Sequence, residues 1–181
     1  RGNCRINAPV PAPVLQRPLF LSFFLFVLVH SVNLCYNSLC IFICVPFGGN
    51  KMIEYIKNLD MSIFVYDYDY NSPSIEHLEK THEKFFLRIR EHSPNLPIVI
   101  LSAPNFEPAE DMAERRDVIK QTYLNAKARG DENVYFIDGS TFFGDKDRSY
   151  CTIDCIHPND LGFYRMAQAI KPVIEKILLQ K

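Results

Sequence analysis

The chain has 181 residues, enough for one ordinary globular domain with a sizeable core. Its 20 Lys and Arg nearly balance 21 Asp and Glu, leaving a formal net charge of −1. That balance supplies no field to gather nucleic acid or an anionic membrane, so neither is expected as a partner.

The charge is unevenly placed. Residues 1–50 contain no Asp, Glu or Lys, only Arg1, Arg5 and Arg17, and they hold four of the six cysteines, Cys4, Cys35, Cys40 and Cys44. After Pro9, Pro11, Pro13 and Pro18 the chain turns almost wholly apolar from Leu19 to Val29. That run falls short of the roughly 20 residues that span a bilayer, and His30, Asn33 and Asn37 interrupt any extension. It has the length of a signal-peptide core, with Arg17 before it, but it starts late and no small-x-small cleavage site follows. Residues 1–45 therefore read as an atypical stretch, either a leader or a truncated or non-native start. The domain proper is expected over residues 46–181.

Beyond Gly48 the pattern becomes regular. Three short runs rich in β-branched and aromatic residues suit buried strands: Ile63–Tyr68, Pro97–Ser102 and Asn133–Asp138. Ser72-Pro73 predicts an N-cap and a first-turn proline. Ile75, Leu78, Phe85, Phe86 and Ile89 then recur at helical spacing until Ser93-Pro94. His77, His82 and His92 ride this helix among Glu76, Glu79, Glu83 and Glu91, and read as solvated surface. A second helix is predicted from Pro108, with Met112, Ile119, Tyr123 and Ala126 on one face and Gly130 at its end. Asn159 predicts the cap of a last helix bearing Leu161, Ala167, Ile170, Ile174 and Ile177, with a kink at Pro172. Strands alternating with helices of this length predict an α/β fold with a parallel sheet and helices on both faces.

Active sites in such sheets lie beyond the carboxyl ends of the strands, which directs attention to two segments. One is Asp67–Asn71, after the first clear strand. The other runs from Gly139 to Pro158 and contains Asp154-Cys155-Ile156-His157-Pro158-Asn159-Asp160. A carboxylate three residues before an imidazole can fix its tautomer and orientation, which is what a general base requires.

The tail from Phe136-Ile137-Asp138-Gly139 through Cys151–Ala167 resembles the closing block of SGNH/GDSL-type hydrolases. Phe64–Leu78 resembles the third block of a bacterial branch of that family, and Pro46–Lys51 resembles a degraded second block. The similarity covers roughly residues 46–179, and Asp-x-x-His-Pro-Asn-Asp is its specific part. The resemblance implies a three-layer α/β/α fold of flavodoxin-like kind, here without the family's native first strand and helix. It implies a serine ester hydrolase acting on small acyl or acetyl esters, carbohydrate esters among them, with no metal and no organic cofactor. Carried over residue by residue, His157 is the general base and Asp154 its orienter. Asn71, through its side-chain amide, and Gly49, through its backbone N–H, help form the oxyanion hole.

The departure lies in the first block, whose Gly-Asp-Ser or Gly-x-Ser turn has no counterpart here. Ser22, Ser31 and Ser38 precede Gly49, none in a glycine turn, and Asp138-Gly139-Ser140 follows too late a strand. The nucleophile is therefore unassigned, and without one the histidine has nothing to deprotonate. The alternative is a catalytically inactive fragment of the same fold that binds a ligand or partner. Plainer readings stand beside each residue: Asn71 as a turn cap, Gly48-Gly49 as a turn, Asp154 and His157 as loop structure. Cys151, Cys155 and His157 are too few for a zinc site and lack a Cys-x-x-Cys knuckle. Asp67–Asn71 mimics a calcium loop only in its first letters. Cys151 and Cys155 read either as free thiols or as a short disulfide.

Overall fold

A computed structural model of the chain describes residues 40–44, 50–104 and 111–180, without the side chains of residues 40–44 and 50–52. In chain order the elements are β1 (Cys40–Cys44), α1 (Asn50–Ile56), β2 (Ile63–Asp67), α2 (Ile75–His92), β3 (Ile98–Leu101), α3 (Met112–Ala128), β4 (Val134–Ile137) and α4 (Asp160–Leu179). The strands lie in the order β1-β2-β3-β4, all parallel. The three runs read as strands are strands, the first trimmed by one residue at its end and the other two by one at each end. β1 was not expected: it comes from the stretch set apart as atypical and pairs along β2, so a strand covers that edge.

The layers follow from the side-chain period of two. Phe64, Tyr66, Ile98 and Ile100 point to one face of the sheet, with Ile53, Ile56, Leu78, Phe85, Phe86, Ile89, Ile119 and Ala126 from α1, α2 and α3. Ile63, Val65, Val99 and Leu101 point to the other, against Met166, Ala167, Ile170, Ile174 and Ile177 of α4. Strands buried on both faces must be continuously apolar, which is why these runs show no polar alternation. Strands added in one direction with right-handed crossovers place their connecting helices on a single face. Among the described residues only α4, which follows the last strand, covers the opposite side. Each fully buried Ile, Leu or Phe contributes roughly 1.5–3 kcal/mol by leaving water, so the two clusters carry most of the stability.

The helix ends refine the reading. The N-cap of α2 is Ser74, in the extended region and accepting from the His77 N–H, not Ser72. Ser72 is engaged elsewhere, its hydroxyl donating to the Ser74 carbonyl at 3.0 Å. α3 ends at Gly130, whose φ of +84° suits a glycine closing a helix, with the Gly130 N–H donating to Lys127 O. Position 108, from which α3 was expected to start, lies outside the described residues; the helix is seen from Met112. Asn159 caps α4 as expected, its side chain accepting from Gly162 N, and α4 is one helix through Pro172.

His82 departs most from expectation. It is wholly buried rather than solvated, stacked on Tyr66 with ring centroids 4.5 Å apart, its Nδ1 2.8 Å from Thr122 Oγ1. Positions 78, 82, 85, 86 and 89 form one stripe at helical spacing, and His82 falls on it. His77 is half-buried and His92 exposed.

Opposite the carboxyl edge, Arg90 ties the connections together. Its Nε bonds Asp131 Oδ2 at 2.8 Å, Nη1 donates to the carbonyls of Ser93, Pro94 and Leu96, and Nη2 donates to Asn133 O. Among the described residues no helix is long and apolar enough to cross a membrane; the Leu19–Val29 run lies outside them.

Candidate active site

The strand ends lie level across the sheet, with Cys44 beside Asp67, Asp67 beside Leu101 and Leu101 beside Ile137. From this carboxyl edge leave the Asp69–Asn71 turn after β2 and the long connection from β4 to α4. Asn71 and the Asp154–His157 segment therefore belong to two connections that leave the same edge.

The second connection is held at both ends. Cys151 is buried in the core under α4. The Asn159 N–H donates to Cys151 O at 3.0 Å and its side-chain amide to Tyr150 O at 2.7 Å, while its Oδ1 caps α4. A Cβ on Gly162 would collide with Cys151 O, so the first turn of α4 approaches this loop as only glycine allows. Arg165 secures the preceding residues by donating from Nη1 to Phe143 O and Lys146 O. Between these anchors Thr152 pairs with Pro158, and Ile153 N donates to His157 O at 2.9 Å, closing a short loop.

Inside that loop one carboxylate makes three bonds. Asp154 Oδ1 accepts from Ile156 N at 3.1 Å and His157 N at 2.8 Å, and Oδ2 lies 2.6 Å from His157 Nδ1. Partial desolvation pushes the Asp154 pKa up, but the His157 and Ile156 N–H bonds and the His157 ring outweigh it, and the net shift is downward. Both side chains stay accessible, with relative exposures of 50% for Asp154 and 43% for His157. A carboxylate on Nδ1 selects the tautomer with Nδ1 protonated, which makes Nε2 the proton acceptor. Such a pair can serve as a general base reachable by a substrate.

Cys155, between these two residues, has a φ of +69°, a left-handed conformation that disfavours any side chain. It is disulfide-bonded, whereas Cys151 is a free, buried thiol. The two therefore do not bridge one another. Among the described residues no group of three or more His, Cys, Asp or Glu could hold a metal ion.

On the first connection, Asn71 ends a single 3-10 turn, with its N–H donating to Tyr68 O at 3.1 Å. Asp69, read as one of the calcium-like letters, is instead spent on protein groups. Its Oδ1 bonds Arg115 Nε at 2.8 Å and its Oδ2 accepts from Ala103 N at 2.9 Å. Sequence reasoning missed Arg115, which lies 46 positions away and carries no local signal. Asp67, the first of those letters, is a partly buried carboxyl at the strand end whose pKa is raised to about 7, first by desolvation and then by the Asp69 charge.

Gly49, Ser22, Ser31 and Ser38 lie outside the described residues. Of the described serines near the edge, Ser102 accepts from Gly139 N at 2.8 Å, Ser140 follows the tight Gly139 turn, and Ser72 lies 3.1 Å from His77 Nδ1. Ser72 is only 5% exposed and already donates to Ser74 O, which makes it part of a turn and unsuited to attack a substrate.

The family model described as the GDSL-like lipase/acylhydrolase family matches residues 44–175. Among solved structures, a Bacteroides ovatus protein described as a GDSL-like lipase is 28% identical with a TM-score of 0.63, over 72% of this chain and 40% of its own. The salicylyl-acyltransferase SsfX3 of a tetracycline biosynthetic pathway is 19% identical with a TM-score of 0.61, over 74% of this chain and 43% of its own. A carbohydrate esterase of family 3 from Talaromyces cellulolyticus shares the fold at 12% identity and a TM-score of 0.60, over 75% of this chain and 67% of its own. No curated protein sequence matches the chain. It spans only about two-fifths of the first two of these structures. The family match, however, runs through β2, β3 and β4, the Asp154–His157 loop and most of α4. By that match this chain belongs to the GDSL-like lipase/acylhydrolase family.

Proposed function

We propose that the chain contributes to a serine ester hydrolase acting on small acyl or acetyl esters, carbohydrate esters among them. The observation that carries this reading is the 2.6 Å contact between Asp154 Oδ2 and His157 Nδ1, in a loop anchored from both sides and open to solvent. In the proposed mechanism His157 Nε2 takes the proton of the attacking serine hydroxyl as its oxygen bonds the ester carbonyl carbon. The same proton then goes to the departing alcohol as the acyl-enzyme forms, and a water repeats the sequence to release the acid. Asp154 holds the imidazole and offsets the charge it gains. The Asn71 side-chain amide and the Gly49 N–H donate to the tetrahedral oxygen; one such donor lowers the barrier by about 3 kcal/mol. The attacking serine is not assigned, and no metal or organic cofactor enters the scheme. Solved structures of the same fold that are named as carbohydrate esterases support the acetyl and sugar ester class by analogy of fold.

The test is hydrolysis of p-nitrophenyl acetate by the chain and by His157→Ala. Turnover that falls by about a thousandfold or more in the variant is the expected result. Turnover that survives the substitution would sink the assignment of His157. Absence of turnover above a heat-killed control would favour the alternative, a member of the fold that binds without hydrolysing.

A further inference from the structure

The Asp69–Asn71 turn is gripped by a buried ion pair that has no part in the mechanism above. Arg115 stands in the first turn of α3, its side chain 7% exposed, facing Asp69 at 4%. Nε donates to Asp69 Oδ1 at 2.8 Å, and Nη2 donates to the backbone carbonyls of Asp69 and of Ser72, the latter at 2.9 Å. Those two carbonyls flank Asn71. The far oxygen of Asp69 accepts from Ala103 N at 2.9 Å, just past the end of β3. One guanidinium and one carboxylate thus lock the turn bearing Asn71 to α3 and to the neighbouring strand.

Burying an ion pair is a poor route to stability, because desolvation offsets most of the attraction. The apolar clusters already hold the sheet and helices together. What the pair does achieve is geometric: one planar guanidinium holds the Asp69 carboxylate through Nε and both carbonyls beside Asn71 through Nη2, in one arrangement. An oxyanion donor must sit within a few tenths of an ångström of its position, so such a grip has a catalytic use.

We propose that Arg115, with Asp69, is a positioning residue for Asn71, holding its side-chain amide where the oxyanion forms. This rests on the role given to Asn71 above. Lysine keeps the charge at this site but cannot donate along two directions in one plane. Arg115→Lys is expected to lower kcat on p-nitrophenyl acetate by about a hundredfold, as a misplaced catalytic group does, while KM stays within about threefold of the wild type. In an Asn71→Ala background the same substitution is expected to have no further effect on kcat, because the group it positions is gone.

Independent effects of the two substitutions on kcat would overturn the proposal. A second readout does not need turnover: the Asn71 side-chain amide resonance should shift or broaden in Arg115→Lys, while that of Asn159 stays in place. An unmoved Asn71 amide in a folded variant would also overturn it. Should Arg115→Lys fail to fold, Asp69→Asn removes the carboxylate at nearly constant size and carries the same two expectations. Absence of turnover in the wild-type chain would count against the hydrolase alone and leave the amide resonance to decide the positioning role.

Discussion

His82 should make this fold sensitive to acid in a way that one substitution removes. The ring is wholly buried, and burial lowers its pKa from 6.5 to about 3. Nδ1 faces Thr122 Oγ1 at 2.8 Å, whereas Nε2 is buried without a hydrogen-bond partner. The neutral tautomer with Nδ1 protonated fits this site, since it leaves a lone pair rather than an N–H donor unmet. Protonation would put a charge at Nε2 with nothing to receive it. The folded-state pKa lies below the unfolded one, so the stability is present above pH 6.5 and is lost as pH falls toward 3. At about 1.4 kcal/mol per pH unit inside that window, moving from pH 7 to pH 4.5 removes about 2.5 kcal/mol. For a chain of this length that lowers Tm by roughly 5–10 °C.

Phenylalanine at position 82 keeps a ring against Tyr66 and does not titrate. It leaves the Thr122 hydroxyl without its ring partner, an offset of about 1 kcal/mol that is the same at every pH. The assay is denaturant unfolding of wild type and His82→Phe at half-unit steps from pH 7.5 to 4. The difference between the two curves isolates His82 from every other titrating group. It should change by about 2.5 kcal/mol in favour of the variant between pH 7 and pH 4.5. Parallel curves would show that the imidazole can be protonated in place, and would refute the reasoning.

Three further outcomes are expected. Asp67 titrates in the opposite sense: its folded pKa is raised to about 7 from 3.8, so its stability is present at low pH and lost as pH rises through that window. Asp67→Asn should therefore gain on the wild type by up to about 4 kcal/mol between pH 4 and pH 8, and a stability difference that is the same at both pH values would contradict this. Arg90→Met should destabilise the fold by about 3 kcal/mol, because it strands the partly buried Asp131 and several carbonyls; a loss under about 0.5 kcal/mol in chemical denaturation would show the clamp to be idle. Gly162→Ala should push the first turn of α4 off the Cys151 carbonyl, costing about 2 kcal/mol and, on the proposed mechanism, most of the esterase activity; retention of both would show that this contact yields.

Much of the fold is written in short-range pattern. The β2, β3 and β4 runs are apolar throughout because both faces of a parallel strand are covered, and that signature needs no knowledge of the partner strands. Asn159 as a cap and Gly130 as a terminator are legible for the same reason, since capping is decided within four residues. The Asp154–His157 pair is legible too, because a three-residue spacing lets one carboxylate bond both the backbone and the ring of the histidine. Ser72 and Ser74 flank the same proline, and local pattern chose the wrong one. Arg115 and the His77 ring draw Ser72 into other bonds and leave the cap to Ser74.

What the sequence by itself determined, then, is the parallel α/β layering, the helix ends at Ser93, Gly130 and Asn159 and the Asp154–His157 contact, all set by periodicity or by contacts a few residues long. Tertiary structure decided the rest. His82 counted as surface while its glutamate neighbours were weighed, and became core once α3 closed over the stripe it shares with Leu78 and Phe85. Cys40–Cys44 became a strand only where the open edge of β2 could pair with it. Asp69 and Arg115, 46 positions apart, acquire a meaning only when α3 packs beside the turn after β2. Burial and long-range pairing depend on what the fold brings near, and no local window of sequence contains that information.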